Sequence, residues 1–134
     1  MDPDDAAEFL RTHHHAVLMT LRADGRPQAS PVVVALDGAG RAVVSTREGA
    51  AKVANVRRRA WASLCVFTDE FFGEWVQLEG PAHVLTLPEA EEPLVQQYRA
   101  VAGEHPDWEE LRRSLREQRR VLLRIVVERA GPGA

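Results

Sequence analysis

The sequence predicts a mainly β fold, a small antiparallel barrel of six strands with peripheral helices. Six apolar segments of strand length follow one another, and several are separated by Asp-Gly or other glycine-containing turns that typically join hairpins. Helical segments are inserted after the third and the fifth of these strands. The second segment contains three consecutive valines, Val32 to Val34, so it is apolar on both faces. One face can fill a barrel, and the other needs a second cover, for which a partner subunit is the simplest candidate.

The first half of the chain begins with a short helix that extends to about residue 13 and is capped by Asp4 or Asp5. Strands at residues 16–21, 30–36 and 41–46 then form a meander, because turn sequences separate them. A basic helix follows at residues 49–59, with Val53 and Val56 facing the barrel.

The second half contains strands at residues 61–68 and 74–87, and Gly80-Pro81 predicts a bulge in the second of them. A helical region extends over about residues 88–118, divided near Gly103 and Pro106. Residues 121–127 form the last strand. Charges alternate at helical spacing over residues 109–120, which is typical of a solvated helix face.

Length and composition restrict the function. The 134 residues predict a single domain over residues 1–134, and 45% apolar with 28% charged residues is typical of a soluble protein. The net charge of −3 argues against general nucleic-acid binding, which needs a basic face. No apolar run approaches the length of about 20 residues that spans a membrane, and the acidic N-terminus is unlike a signal peptide. We therefore expect a cytoplasmic protein without membrane or nucleic-acid partners.

Residues 45–59 form a candidate binding site for a phosphorylated ligand. Ser45 and Thr46 end an apolar strand, and Lys52, the only lysine of the chain, lies in the helix that follows. Hydroxyls, free backbone N–H groups at a helix start and a compact ammonium all bind anions. Lys52, Asn55 and Arg59 share one helix face at i, i+3 and i+7. The residues leave an alternative open, in which this face is merely solvated and Ser45-Thr46 is an ordinary helix N-cap.

No metal site and no catalytic residues are predicted. The tract His13-His14-His15 leads into a strand, where neighbouring side chains point in different directions and rarely converge on one ion. No acid–base cluster with recognisable spacing is present in the sequence.

Taken together, these residues resemble the pyridoxamine 5′-phosphate oxidase-like split barrels, most closely the branch that uses the deazaflavin coenzyme F420. The resemblance extends over about residues 16–127. It rests on the segments at residues 18–27 and 62–64, on Ser30-Pro31-Val32, on Ser45-Thr46 six residues before Lys52, and on Asn55 with Arg58.

The resemblance implies a six-stranded split β-barrel that forms a homodimer, with the cofactor in the groove between subunits. It implies hydride transfer from reduced F420 to a small conjugated acceptor. In relatives the strand at residues 30–35 lies along the ring system, the positions of Ser45, Thr46 and Lys52 hold the phosphate, and Asn55 and Arg58 complete that pocket. The implied cofactor-binding residues are Ser30, Pro31, Val32, Val33, Ser45, Thr46, Lys52, Asn55, Arg58, Trp75 and Gln77.

Trp75 and Gln77 lie in the strand that supplies contacts from the second subunit in relatives, although Trp75 is equally explained as a barrel or interface aromatic. Relatives that oxidise pyridoxamine phosphate carry arginine and lysine five residues apart on the ring-binding strand, where this chain has Ser30 and Ala35. Vitamin B6 oxidation is therefore not expected. Two alternatives remain open, an FMN-dependent reductase or oxidase of the same fold and a non-enzymatic carrier of F420 or flavin.

Overall fold

The computed structural model describes residues 1–70 and 72–131. The described residues form four helices and seven strands. The helices are α1 (Pro3–Phe9), α2 (Ala51–Arg58), α3 (Glu91–Ala102) and α4 (Trp108–Glu117). The strands are β1 (His15–Leu21), β2 (Pro27–Leu36), β3 (Ala42–Arg47), β4 (Trp61–Phe67), β5 (Trp75–Leu85), β6 (Arg120–Ile125) and β7 (Arg129–Gly131).

Six of the strands close into an antiparallel barrel in the order β4-β1-β2-β3-β6-β5, because β5 also pairs with β4. The six-stranded barrel and its helices are confirmed. The short strand β7 was not predicted, and it pairs with β5 through residues 129–131. Three residues are too few to produce a periodic pattern in the sequence.

The barrel interior is filled by alternate side chains of the strands, as the pleat of a half-buried strand requires. Val34, Val44 and Leu64 are fully buried there, and Val53 and Val56 of α2 pack against the same cluster, as predicted. The helix α2 is therefore fixed to the barrel by its apolar face, which determines where its polar face lies.

The outer face of the barrel is covered on one side only. Helices α3 and α4 pack on Ala35, Val43 and Leu122 and form a second apolar cluster with them. On the other side, Val33 remains 44% exposed and Met19 37% exposed. The valine run of β2 thus has one fully buried residue inside the barrel, Val34, and one exposed residue outside it, Val33.

The strands β2 and β3 separate from each other along part of their length. β2 pairs with β1 from Pro27 to Val33 but with β3 only from Val34 to Leu36. The C-terminal half of β3, from Ser45 to Arg47, pairs with β6 alone. Pro31 lies in the part of β2 that has no partner on its β3 side, and this position suits a residue without a backbone N–H. The separation opens a groove between the two strands.

The predicted bulge at Gly80-Pro81 is wrong for the pairing with β4, whose register continues unbroken through both residues. At its other edge, β5 changes its pairing partner at these residues, from β7 before them to β6 after them. A Cβ at Gly80 would lie 1.8 Å from the carbonyl oxygen of Val126. Glycine is therefore needed for the close approach of the segment that joins β6 to β7.

Three helix boundaries also differ from the sequence predictions. Asp2, rather than Asp4 or Asp5, caps α1, which ends at Phe9 rather than near residue 13. Ala50 is the N-cap of α2 and has no capping side chain, while Ser45 and Thr46 lie within β3. The alternative that this pair is the N-cap of the basic helix is therefore wrong. The charged helix α4 ends at Glu117, Arg119 adopts a left-handed backbone with φ 53°, and Arg120 begins β6. None of the helices formed by the described residues has the length and apolarity needed to span a membrane.

Candidate functional site

A groove of about 800 Å³ opens where β2 and β3 separate, and within the described residues it brings together side chains from eight helices and strands. Its wall on the barrel side is formed by Pro31, Val32 and Val33 of β2. Ser45 of β3 and Lys52 of α2 line the same groove. These five residues were all predicted as cofactor contacts, and the separation of β2 from β3 explains why residues distant in sequence meet there.

One end of the groove is cationic. Lys52 and Arg120 line it together with Ser45, and no acidic side chain lines it within the described residues. Neither cation forms an ion pair in the part of the chain that the structure describes, although Arg120 Nε donates a hydrogen bond of 2.9 Å to Gln118 Oε1. Two positive charges and a hydroxyl without anionic partners are a suitable donor set for a phosphate group.

Arg120 also faces a like charge across the sheet, because it pairs in register with Arg47 of β3. Burial lowers the pKa of the Arg120 guanidinium, and the proximity of Arg47 lowers it further. Like charges directly opposite each other on a sheet destabilise it. An anion bound at this end would relieve that repulsion.

Thr46 lies on the other face of β3, because successive residues of a strand point to opposite sides. It is buried and lines a neighbouring depression of about 580 Å³. Gln118 and Arg120 line both this depression and the groove, so the two spaces adjoin. The hydroxyls of Ser45 and Thr46 therefore lie on different sides of the strand.

Asn55 and Arg58 do not line the groove. Asn55 is 5% exposed, and its amide nitrogen donates to Thr20 Oγ1 at 3.1 Å and to Gln28 Oε1 at 2.9 Å. Its amide oxygen accepts a hydrogen bond of 3.2 Å from Arg58 Nη1. These bonds tie α2 to β1 and β2, so Asn55 holds the helix that carries Lys52.

Three further residues that the resemblance implied also lie outside the groove. Ser30 pairs with Leu18 in the β1–β2 ladder. Trp75 is half-buried on β5, and Gln77 Nε2 donates to Ser63 Oγ at 3.1 Å. A single protomer therefore does not bring Trp75 and Gln77 to the groove.

The far side of the groove is formed by α3 and α4 and was missed in the sequence. Its apolar part comes from Leu94, Val101, Leu111 and Leu115, and its polar side chains include Gln97 and Tyr98. Helix patterning alone indicates which residues are buried, not which strand edge they face. For Arg120 a signal existed, since it is a charged residue at the beginning of an apolar strand.

The three consecutive histidines diverge. The ring of His13 stacks on Phe9, His14 Nδ1 lies 2.9 Å from the carbonyl oxygen of Val34, and His15 Nδ1 lies 3.3 Å from Asp69 Oδ1. Among the described residues, no three His, Cys, Asp or Glu side chains converge in a metal-binding arrangement.

Comparisons with known proteins agree with this architecture. The sequence matches the family model described as pyridoxamine 5′-phosphate oxidase over residues 3–131. A conserved hypothetical protein from Mycobacterium tuberculosis has 25% identity and a TM-score of 0.77, with 97% of this chain and 82% of that chain covered. A structure described as F420 reductase has 15% identity, a TM-score of 0.70, and 92% and 94% coverage. The heme storage protein HutZ from Vibrio cholerae has 18% identity, a TM-score of 0.73, and 99% and 96% coverage. The last two are similar in fold alone.

Proposed function

Because the chain belongs to the pyridoxamine 5′-phosphate oxidase family, we propose that it is an oxidoreductase that uses coenzyme F420 to reduce a small conjugated acceptor. One observation carries the proposal: a separated strand edge and a cationic end occur in a single groove. When bound, the coenzyme supplies hydride transfer, so the protein need only bind the coenzyme, orient its ring and admit an acceptor. A groove that no acidic side chain of the described residues lines is compatible with those tasks.

The residues of the groove have separable roles in this proposal. Lys52 and Arg120 neutralise the phosphate of the coenzyme, and the Ser45 hydroxyl donates a hydrogen bond to it. The open edge of β2 at Pro31–Val33 lies along the ring, where an apolar strand excludes water from one ring face. Asn55 acts indirectly, because it fixes the helix of Lys52 to the barrel.

Charge favours F420 over FMN in this proposal. F420 carries a glutamate tail in addition to its phosphate, whereas FMN ends in the phosphate. Arg47 and Arg119 line the depression that adjoins the cationic end, together with Glu48, whose carboxylate pairs with Arg57. Neither Arg47 nor Arg119 forms an ion pair within the described residues. These additional cations suit a longer acidic tail. FMN remains the alternative ligand of the same groove.

Pyridoxamine phosphate is not the proposed substrate. Ala35, at one of the two positions where relatives that oxidise it carry a basic residue, is fully buried beneath α3. Ser30, at the other position, has no charge. The chain therefore offers neither of the two cations at the positions where those relatives have them.

We also propose that the protein is a homodimer with the groove at the subunit interface. Its support is the uncovered outer face of the barrel, where Met19, Pro31 and Val33 are exposed. Trp75 and Gln77 belong to β5, which flanks this side of the barrel through its pairing with β4. In a dimer, these two residues would contact the coenzyme of the partner subunit.

The test is a titration that compares two forms of the protein and compares ligands with and without a phosphate group. Lys52→Ala and wild type are titrated with F420, with FMN and with riboflavin, which lacks the phosphate, and absorbance and fluorescence report binding. Loss of one charge-assisted contact should weaken F420 binding by about 10- to 100-fold. Riboflavin affinity should be unchanged by the substitution, because riboflavin has no phosphate for Lys52 to contact.

Arg113→Ala is the matched control, since Arg113 is an exposed cation of α4 outside the groove. It should leave all three affinities unchanged. Tight FMN binding without F420 binding would select the FMN alternative. Equal F420 affinity in wild type and Lys52→Ala would refute the proposed site. F420 binding without reduction of any quinone, enone or tetrapyrrole acceptor would favour the carrier.

A further inference from the structure

Gln97 is a buried side chain whose amide has no hydrogen-bond partner among the described residues. It lies in α3, is 8% exposed, and its side chain makes no hydrogen bond with any residue in the described ranges. Within those ranges, Arg124 Nε is the one fully enclosed side-chain nitrogen or oxygen that lacks a partner. The amide atoms of Gln97 therefore retain access to the space around them.

That space consists of two cavities. Gln97 lines the groove of about 800 Å³ and also a second cavity of about 730 Å³ between α3 and the β2–β3 turn. Among the described residues it is the only one that lines both. On the groove side the lining from α3 and α4 includes the apolar side chains of Leu94, Val101 and Leu115 and the polar ones of Tyr98 and Ser114.

With no protein partner among the described residues, the amide of Gln97 can form hydrogen bonds only with what occupies the two cavities, water or a ligand. Methionine has nearly the same volume and would pack with the apolar lining without needing such a partner. The packing of α3 therefore gives no reason for glutamine at this position. A ligand that supplies the missing hydrogen bond does.

We propose that Gln97 is the residue that recognises the acceptor, and that the acceptor is an apolar planar molecule bearing a carbonyl group. The amide N–H₂ of Gln97 donates to that carbonyl, while the apolar side chains of α3 and α4 contact the ring. This inference rests on the proposed function, since it assigns the acceptor to the part of the groove opposite β2 and away from Lys52.

The test compares two probes that share a carbon skeleton, 2,3-dimethyl-1,4-naphthoquinone and 2,3-dimethylnaphthalene, which lacks the carbonyls. Cys65, the one cysteine of the sequence, is a free and half-buried thiol of β4. The methyl groups block addition of this thiol to the quinone ring. Ligand-observed NMR measures their affinities for wild type and Gln97→Met, with and without F420. Wild type should prefer the quinone, and Gln97→Met should reduce this preference by about 3- to 10-fold. The hydrocarbon affinity should remain unchanged or increase.

Gln96→Met is the matched control, because Gln96 is an exposed glutamine of the same helix that lines only the second cavity. It should leave the preference for the quinone unchanged. The melting temperature of Gln97→Met should equal or exceed that of wild type, whereas a structural role for the amide would lower it. Unchanged preference in Gln97→Met, or no preference in wild type, would overturn the inference.

Failure of this inference is distinguishable from failure of the proposed function. If Lys52→Ala weakens F420 binding but Gln97→Met leaves the probe preference intact, only the role of Gln97 is wrong. If F420 and FMN do not bind while the preference depends on Gln97, the coenzyme assignment is wrong and the acceptor pocket stands.

Discussion

Asn55 connects the helix that carries Lys52 to two strands of the barrel, and its replacement by alanine separates a structural role from a ligand contact. The substitution removes two donated hydrogen bonds, to Thr20 and Gln28, and one accepted from Arg58. Val53 and Val56 still hold α2 on the barrel. The helix should therefore remain docked, with a weaker connection on its polar side.

The expected loss of stability follows from the burial of the partners. Thr20 is 1% exposed, so its hydroxyl loses a partner that water cannot easily replace. The loss of two side-chain hydrogen bonds and the unsatisfied hydroxyl together should lower the free energy of unfolding by about 2–4 kcal/mol. The third bond adds little, because Arg58 is exposed.

Urea denaturation at one fixed protein concentration measures this loss. The variants are Asn55→Ala, Thr20→Val and their combination, with Arg58→Ala as the control that removes only the exposed partner. We expect the sum of the two single-variant losses in unfolding free energy to exceed the loss in the double variant by about 1 kcal/mol or more. The reason is that both single substitutions remove the same hydrogen bond between Asn55 and Thr20. Arg58→Ala should lower the free energy of unfolding by less than about 1 kcal/mol.

A different outcome would refute this reasoning. If Asn55→Ala lowered the unfolding free energy by less than about 1 kcal/mol and yet weakened F420 binding tenfold, Asn55 would be a direct coenzyme contact. The assignment of its amide to the barrel would then be wrong.

Three further predictions concern the fold and its assembly. Gly80→Ala should lower the melting temperature and reduce the free energy of unfolding by about 1–3 kcal/mol, because the new Cβ meets the Val126 carbonyl oxygen at 1.8 Å. Gly38→Ala should leave both unchanged, because no atom lies within 4 Å of the new Cβ. The pKa of Glu91 is held below its ordinary value of 4.5 by a hydrogen bond from Arg116 and then by one from Arg112. The stabilisation by the Glu91 carboxylate is complete above pH 4.5 and is lost as the pH falls through the lowered pKa. The melting temperature of wild type should therefore fall further between about pH 6 and about pH 3 than that of Glu91→Gln. Val33→Asp should shift the mass measured by light scattering toward that of a monomer, while Ala54→Asp, on the exposed face of α2, should not.

Each of these predictions has an outcome that contradicts it. Equal melting temperatures for the two alanine variants would mean that the segment near Val126 yields to the new methyl group. Parallel pH profiles would mean that the Glu91 carboxylate contributes nothing to the contact between α3 and α4. A dimer mass for Val33→Asp would place the subunit interface elsewhere on the surface.

Sequence patterns predicted the barrel because its signals are local. The turns at residues 23–26 and 37–40 and the apolar strands between them are readable from neighbouring residues, and antiparallel pairing follows from short connections. The error at Gly80 has a different origin. The glycine is required by a chain segment that passes close to it from more than forty residues away, and no local pattern contains that contact.

The candidate site was predictable in part. Lys52 and Ser45 could be associated because they are close in sequence, and the resemblance added Pro31, Val32 and Val33. Asn55 was predicted to complete the phosphate pocket, but the structure gives its amide to Thr20 and Gln28 rather than to the groove. Because successive residues of a helix are rotated by about 100° at 3.6 residues per turn, two residues that share a broad helix face, such as Lys52 and Asn55, can still face different cavities.

By itself, the sequence determined which segments become strands, which helix is basic and which positions must be apolar, because these depend on residue type and period. Only the tertiary structure decided that β2 leaves β3 after a few pairs, that Arg120 and Lys52 line one groove, and that Gln97 is buried with no partner among the described residues. Those features arise from the closure of the sheet and the docking of α3 and α4. Contacts of this kind join distant parts of the chain and depend on the shape of the whole barrel.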